Sequence, residues 1–180
     1  MTLRKLKLDE LGRPSIAEFK QREKFPIIFV LDNIRSALNV GSIFRTADAL
    51  GVQEIILCGI SATPPHKEIN KTAIGATASV SWKYFSNVFS LTEYLHSQGY
   101  KLVGVEQTNN SLSLENWHPN FKNGLALIFG NEVEGLSEEL LPHLDFALEI
   151  PQFGTKHSFN VSVSAGIVGW HAILKGHCGG

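Results

Sequence analysis

The sequence predicts an α/β fold whose mainly parallel sheet is flanked by helices, because short apolar runs alternate with helical patterns from Phe25 onward. Turn residues bound the runs, and several runs are apolar without alternation, as expected of strands covered by helices on both faces. The predicted strands are residues 27–31, 54–58, 80–85, 101–105, 125–129 and 146–150. The predicted helices are residues 40–50, 91–98, 137–141 and 161–174, and their order gives an open α/β sheet.

The length and composition indicate a single domain. With 180 residues the chain is long enough to bury an ordinary core but too short for two full-sized domains. Its hydrophobic fraction of 43% and charged fraction of 18% are typical of globular proteins. We therefore expect one domain at residues 25–176, preceded by a basic, helical extension at residues 1–24 and followed by a flexible tail at residues 177–180.

The cysteines and histidines predict neither a disulfide framework nor a metal site. Cys58 lies in an apolar run and Cys178 in a glycine-rich tail, so we expect free thiols and a reducing compartment. The histidines are scattered without the spacing of metal ligands. No stretch approaches the roughly 20 apolar residues that span a bilayer. The sequence thus predicts a soluble, cytoplasmic protein without a membrane anchor or a bound metal.

The charge distribution bears on whether the partner is a nucleic acid. A net charge of −1 gives no global support for a polyanion, which binds to clustered Lys and Arg side chains. The first 24 residues are nevertheless rich in cations, so this segment either docks on RNA or forms a solvated amphipathic helix. Both interpretations stay open. The cations are Arg4, Lys5, Lys7, Arg13, Lys20, Arg22 and Lys24.

Three polar segments follow predicted strands, at the edge of an open α/β sheet where ligands bind. In the first, at residues 32–45, Asn39 precedes the predicted helix and Arg45 follows six residues later. We expect both side chains to face one pocket, with the Arg45 guanidinium suited to a phosphate. The alternative is that Asn39 only caps the helix and that Arg45 is a surface charge.

The second segment, at residues 130–135, combines a glycine with an amide and a carboxylate. Gly130 permits close approach of a ligand or of another backbone, and Asn131 and Glu132 offer polar groups at a strand end. The segment lacks both the GxxxxGK[ST] pattern and the GxGxxG spacing, so neither a nucleoside triphosphate nor a dinucleotide is indicated. A simple strand-to-helix turn is the alternative.

The third segment, at residues 151–160, leads into the predicted C-terminal helix. Ser158 or Asn160 is placed to cap this helix, whose free N–H groups suit an anionic carboxylate or phosphate. His157 stands beside Ser158, but no GxSxG elbow surrounds the serine, and adjacent residues seldom place His and Ser within bonding reach. A serine hydrolase is therefore not indicated.

Taken together, the three segments resemble the three motifs of the SpoU/TrmH family of RNA ribose 2'-O-methyltransferases, in order and in spacing. The matching patterns are NxxxxxR, FGNExxGL and IPxxGxxxSxNVSVxAGI, and the resemblance covers roughly residues 27–173. This family belongs to the SPOUT superfamily, whose fold has a deep C-terminal trefoil knot. Periodicity alone predicts an unknotted doubly wound sheet, because knots are very rare in proteins.

The resemblance implies a cofactor, an oligomer and a set of site residues. S-adenosylmethionine, which becomes S-adenosylhomocysteine, would be contacted largely through backbone at Gly130, Ile150 and Phe159. Leucine is usual where Phe159 stands, but phenylalanine keeps an apolar wall and a backbone N–H. The family is homodimeric, with the site near the interface. The positions that match its catalytic residues are Asn39, Arg45, Glu132, Ser158 and Asn160.

The same resemblance leaves the acceptor and the RNA open. A ribose 2'-oxygen is favoured by the Asn39/Arg45 pair and the SxN element, and the alternatives are a base nitrogen or a catalytically silent RNA-binding module. The chain is compact, which favours tRNA over rRNA. Since arginine keeps its proton above pH 12 or so, we expect Arg45 to bind the neighbouring phosphate and stabilise alkoxide charge rather than to act as a general base.

Overall fold

The computed structural model describes residues 3–7 and 9–177. Cys178 and the last residues of the predicted tail lie outside this range, as do residues 1, 2 and 8 of the predicted extension. Cys58 is a buried, free thiol. Burial and the nearby Asp32 carboxylate raise the pKa of Cys58 to about 12, so this cysteine is a protonated core residue.

One sheet organises the described residues, and all of its neighbouring strands pair in parallel. The strand order is β3-β2-β1-β6-β4-β7-β5. The six predicted strands are confirmed, with ends that differ by a residue or two; β5 was not predicted because two residues show no periodicity. The strands are β1 (Phe25–Asp32), β2 (Val52–Cys58), β3 (Ser81–Phe85), β4 (Lys101–Val105), β5 (Leu112–Ser113), β6 (Leu125–Phe129) and β7 (Phe146–Glu149).

Helices cover both faces of the sheet. They are α1 (Ile16–Gln21), α2 (Ala37–Leu50), α3 (Lys67–Ala73), α4 (Ala76–Ser79), α5 (Val88–Ser97) and α6 (Val161–His177). On β1, Phe29 and Leu31 face the core shared with α2, α3, α4 and α6, whereas Ile28 and Val30 face the core shared with α5. Because both faces are covered, the central strands are apolar throughout.

The helix predicted at residues 137–141 is wrong. Residues 138–140 form a turn, and a 3₁₀ helix follows at Leu141–His143. Leu136 and Leu140 are buried four residues apart, which imitates helical spacing. Pro142 lacks a backbone N–H and disfavours helical geometry in the residue before it, so an α-helix does not continue. The other predicted helices are confirmed, and α3 and α4 were not predicted.

The N-terminal extension is helical only in part. It contains a 3₁₀ turn at Asp9–Leu11 and the short helix α1. A capping box, in which Ser15 and Glu18 bond to each other's backbone N–H, forms the start of α1. Helix α1 contacts α4. Among the residues described, no helix combines the length and the apolar character needed to cross a membrane.

Helices α2 and α3 pack closely through a glycine. A Cβ atom on Gly41 would lie 2.2 Å from Thr72 Oγ1 and 2.3 Å from the carbonyl oxygen of Ile69. The Thr72 hydroxyl crosses the same contact and donates to the carbonyl of Leu38 at 2.8 Å. The helix contact therefore needs a residue without a side chain at position 41, and this contact positions the first turns of α2.

Replacing Gly41 by Ala should destabilise the protein, because one obstructing atom is backbone and cannot rotate away. We expect a loss of about 1–3 kcal/mol in the free energy of unfolding, measured by urea denaturation, although Ala favours a helix by about 1 kcal/mol. Ser42→Ala, at the next position, is the control and should change stability by less than about 0.5 kcal/mol. A Gly41→Ala variant as stable as wild type would contradict this account.

Candidate functional site

The side chain of Glu132 joins the loop after β6 to the start of α2. Its carboxylate accepts hydrogen bonds from the backbone N–H of Arg35 at 2.9 Å, from that of Ser36 at 3.1 Å and from Asn39 Nδ2 at 2.9 Å. An anion is favoured at this place, because the first N–H groups of a helix have no partner within the helix. Glu132 therefore ties the second polar segment to the first.

A hydrogen bond between two asparagines connects the third polar segment to the first. Asn160 Nδ2 donates to Asn39 Oδ1 at 3.1 Å. Asn160 Oδ1 accepts from the backbone N–H of Ser162 at 2.9 Å and from its hydroxyl at 2.6 Å, which caps α6. Three predicted site residues, far apart in sequence, thus form one hydrogen-bonded chain from Glu132 through Asn39 to Asn160.

Asn39 is available for this chain because another residue caps α2. The cap is Ser36, whose hydroxyl accepts from the Asn39 backbone N–H. The helix begins three residues earlier than predicted, so the interpretation of Asn39 as a cap is wrong. Its amide side chain instead bonds to both neighbouring segments.

The environment of Glu132 favours its charged form. Partial burial acts to raise the pKa, but the hydrogen bonds from Asn39 and from the Arg35 and Ser36 amides outweigh it and hold the pKa of Glu132 below its ordinary value. Glu132 is therefore an anion near neutral pH, and its oxygens are engaged in holding the loops rather than free to accept a proton.

A cavity of about 830 Å³ opens beside this chain of hydrogen bonds. Gly130, Ser158, Phe159 and Asn160 line it. Ile150 lines a smaller adjoining cavity, which Ser158 and Phe159 also reach. The structure therefore gathers seven of the eight predicted site residues in one region, with Asn39 linked to it through Glu132 and Asn160.

Gly130 brings two backbone segments into close contact at the cavity wall. A Cβ atom there would lie 2.2 Å from the carbonyl carbon of Gly135. Asn131 closes the same loop, since Asn131 and Gly135 pair as an antiparallel bridge and Asn131 Oδ1 accepts from the N–H of Val133 at 2.8 Å. Any side chain at position 130 would displace this loop from the cavity.

Arg45 lies elsewhere, and the expectation that it shares a pocket with Asn39 is wrong for the single chain. Six residues along an α-helix correspond to a rotation that leaves the two side chains about 120° apart. Arg45 is exposed and lines a cleft of about 450 Å³ between α2 and α3. Within the described part of the chain its guanidinium has no hydrogen bond or ion pair. The other residues that line the cleft are Ser42, Thr46, Ala49, Lys71 and Thr72.

Sequence reasoning missed a buried carboxylate beneath the loops. Asp32 is fully buried at the end of β1 and accepts from the Ser137 N–H at 2.8 Å, the Ser137 hydroxyl at 2.6 Å and Asn33 Nδ2 at 2.9 Å. Asn33, with a φ of 55°, accepts a hydrogen bond from Asn131 at its carbonyl oxygen. An Asp directly after a buried strand was the available signal, but its partner lies 105 residues away.

Glu106 and Gln107 were also missed, although both follow β4 and line the large cavity. Gln107 Nε2 donates to the carbonyl of His157 at 3.1 Å, and Gln152 Nε2 donates to the same oxygen at 3.3 Å. These amides hold the loop of the third segment over the cavity. Within residues 3–7 and 9–177, no group of three or more His, Cys, Asp or Glu side chains is placed to hold a metal ion.

Glu132 should stabilise the fold in a pH-dependent way. Since its pKa is lowered in the folded state, its contribution is complete above the unfolded pKa of about 4.3 and is lost as the pH falls through the lower folded value. Glu132→Gln should therefore unfold more easily than wild type at pH 7, by about 1 kcal/mol, with the difference vanishing in acid.

Thermal unfolding of both proteins between pH 7 and pH 3 measures this difference. Glu134→Gln, which changes an exposed carboxylate in the same loop, is the matched control and should show no such pH dependence. A constant difference between wild type and Glu132→Gln at every pH would refute the role of the charge.

Comparison with known proteins places the chain in a family. Residues 26–170 match the SpoU rRNA Methylase family. The 23S rRNA (guanosine-2'-O-)-methyltransferase RlmB of Neisseria meningitidis serogroup B is 33% identical over 143 residues, which are 79% of this chain and 56% of RlmB. The chain thus spans little more than half the length of this relative.

Solved structures share the fold. The AdoMet-bound rRNA methyltransferase of Sinorhizobium meliloti is 25% identical, with a TM-score of 0.77 over 85% of this chain and 58% of that one. The SpoU methyltransferase AviRb of Streptomyces viridochromogenes, in complex with AdoMet, is 23% identical, with a TM-score of 0.77 over 92% and 66% of the two chains. With four fifths of its length matched, this chain belongs to the SpoU rRNA methylase family.

Proposed function

We propose that this protein transfers a methyl group from S-adenosylmethionine to a ribose 2'-hydroxyl of RNA, either tRNA or rRNA. The observation that carries the proposal is the hydrogen-bonded chain of Glu132, Asn39 and Asn160 at the edge of an 830 Å³ cavity. Membership of the SpoU family supports it, as does the activity in the name of the Neisseria relative.

The cavity suits S-adenosylmethionine, which supplies the electrophilic methyl group when bound. Gly130 leaves backbone at the wall, while Ile150 and Phe159 provide apolar surface. Asn160 and Ser158 add polar groups at the rim. These residues would hold and orient the cofactor, and Gln107 and Gln152 fix the loop beside it through the His157 carbonyl.

Arg45 binds the RNA phosphate next to the reactive ribose and stabilises the negative charge that develops on the 2'-oxygen. It is exposed in a cleft that Lys71 also lines, and because Lys71 is ion-paired with Glu68 at 2.7 Å, Arg45 is the cation there that is left to bind a phosphate. The proton leaves to that phosphate or to water, because arginine does not release its own proton near neutral pH. Glu132, which is engaged by three donors, positions Asn39 instead of accepting this proton.

The separation of the Arg45 cleft from the cofactor cavity supports a homodimer, in which a second copy brings the two together. Helix α6 has an apolar stripe for this contact. Val163, Trp170 and Leu174 are 48%, 59% and 51% exposed, and their spacing places them on one face. The stripe lies beside α2, which packs against α6.

Trp170→Glu should convert the dimer to a monomer in sedimentation velocity, because a charge in the centre of an apolar contact is not solvated. The matched control is Phe89→Glu, which changes an aromatic residue of similar exposure, 63%, on the opposite face of the sheet. A wild-type monomer at micromolar concentration, or a dimeric Trp170→Glu variant, would contradict this interface.

We also propose that the chain is knotted, as the SPOUT relationship implies. The strand order supports it, because β6 lies between β1 and β4, with β7 beyond β4. A crystallographic trace in which residues 150–177 pass outside the loop of residues 106–146 would contradict it.

The free buried thiol of Cys58 supports a cytoplasmic location.

Methyl transfer is tested with labelled S-adenosylmethionine and unmodified tRNA or rRNA, followed by nuclease mapping of the product. We expect a 2'-O-methylated nucleotide in one of the two RNA pools. Label on a base nitrogen would favour the alternative acceptor, and cofactor binding without label in either pool would favour a silent RNA-binding module.

Within this assay, Arg45→Lys should lower turnover about 100-fold, because lysine lacks the planar fork that holds a phosphate. Its affinity for S-adenosylhomocysteine should be nearly unchanged, since Arg45 lies outside the cofactor cavity. Lys122→Arg, the reverse exchange at an exposed cation outside both the Arg45 cleft and the cofactor cavity, is the control and should retain turnover. Normal turnover by Arg45→Lys would overturn its role.

A further inference from the structure

Glu106 is a carboxylate fixed at the cavity by backbone. It follows β4 directly, and its Oε1 accepts from the Gln107 N–H at 2.8 Å while its Oε2 accepts from the Leu136 N–H at 3.2 Å. Gly135 leaves room for it, because a Cβ atom there would lie 2.2 Å from Glu106 Oε2. The carboxylate is therefore held in one orientation by groups from two different loops.

The position of Glu106 is at the junction of the two adjoining cavities, since it lines both. The smaller cavity has apolar side chains, among them Leu148, Ile150 and Phe159, alongside polar ones. The larger one extends to Glu132 and Asn160. If a ligand with a ring at one end and a charged group at the other occupied both cavities, its middle part would thus lie next to Glu106.

Glu106 differs from the other three glutamates that line the large cavity. The Glu132 carboxylate already accepts three hydrogen bonds, from Arg35, Ser36 and Asn39, and Glu134 and Glu138 are exposed. Glu106 is half-buried, and each of its oxygens accepts a single backbone N–H. A carboxylate oxygen has two lone pairs, so each still has capacity for one further donor.

We propose that Glu106 accepts hydrogen bonds from the 2'- and 3'-hydroxyls of the cofactor's adenosine ribose. A cis-diol offers two neighbouring donors, which match the two oxygens of one carboxylate; an acidic side chain at a strand end binds ribose for the same reason in dinucleotide-binding folds. The smaller cavity, with apolar side chains for the ring faces and polar ones for the ring nitrogens, then takes the adenine, and the rim near Asn160 takes the methionine part. This inference rests on the proposed function, because it requires S-adenosylmethionine as the ligand.

The test is a binding cycle that crosses Glu106→Gln with a ligand lacking a ribose hydroxyl. Titration calorimetry measures the affinities of wild type and Glu106→Gln for S-adenosylhomocysteine and for its 2'-deoxy and 3'-deoxy analogues. We expect Glu106→Gln to weaken S-adenosylhomocysteine about tenfold, as a charge-assisted hydrogen bond requires. Loss of a hydroxyl should weaken binding to wild type but should cost the variant much less.

Glu139→Gln is the matched control, because it removes an exposed carboxylate that lines neither cavity and should leave every affinity unchanged. If Glu106 only supports the loops, its replacement would weaken all three ligands by the same factor, and this additivity would overturn the proposal. Wild type that binds none of the ligands would overturn both the proposed cofactor and this role of Glu106. Binding by wild type with additive losses would overturn the role of Glu106 alone.

Discussion

The arrangement of the site depends on one carboxylate placed at the start of one helix. Glu132 accepts hydrogen bonds from the N–H groups of Arg35 and Ser36, which lead into α2 and have no partner within the helix, and it also holds the Asn39 side chain. Asn39 in turn holds Asn160, the cap of α6. The two helices that pack beside each other thus have their N-termini fixed relative to one loop, and the same loop forms a wall of the cavity.

Close backbone contacts keep this arrangement in register. Gly41 lets α2 approach α3, Gly130 lets the loop after β6 fold on itself, and Gly135 makes room for Glu106. Beneath them, the fully buried Asp32 carboxylate accepts hydrogen bonds from Ser137 and Asn33, which offset part of the cost of burying it. Polar groups at the strand ends therefore shape the site, while the apolar strands only bring them to one edge.

The large cavity and the Arg45 cleft are separate surfaces because of helix geometry. The cofactor cavity lies at the carboxyl ends of β4, β6 and β7, whereas Arg45 lies further along α2 in a cleft with Lys71. In the proposed homodimer, a second copy would bring the two surfaces together. The exposed apolar stripe of α6 gives that copy a surface to cover.

The sequence by itself determined the α/β class, six of the seven strands and the segments that carry polar site residues, because buried parallel strands are apolar runs and their ends are marked by Gly, Asn and Asp. It missed α3, α4 and β5, which are short or polar, and it misread Leu136 and Leu140 as a helix. Only the tertiary structure decided that Ser36 caps α2, that Arg45 and Asn39 diverge, and that Glu106 reaches the cavity. The cap and the divergence follow from local helix geometry once the helix is known to begin at Ala37, whereas the placement of Glu106 depends on Leu136, 30 residues away, which no local pattern encodes.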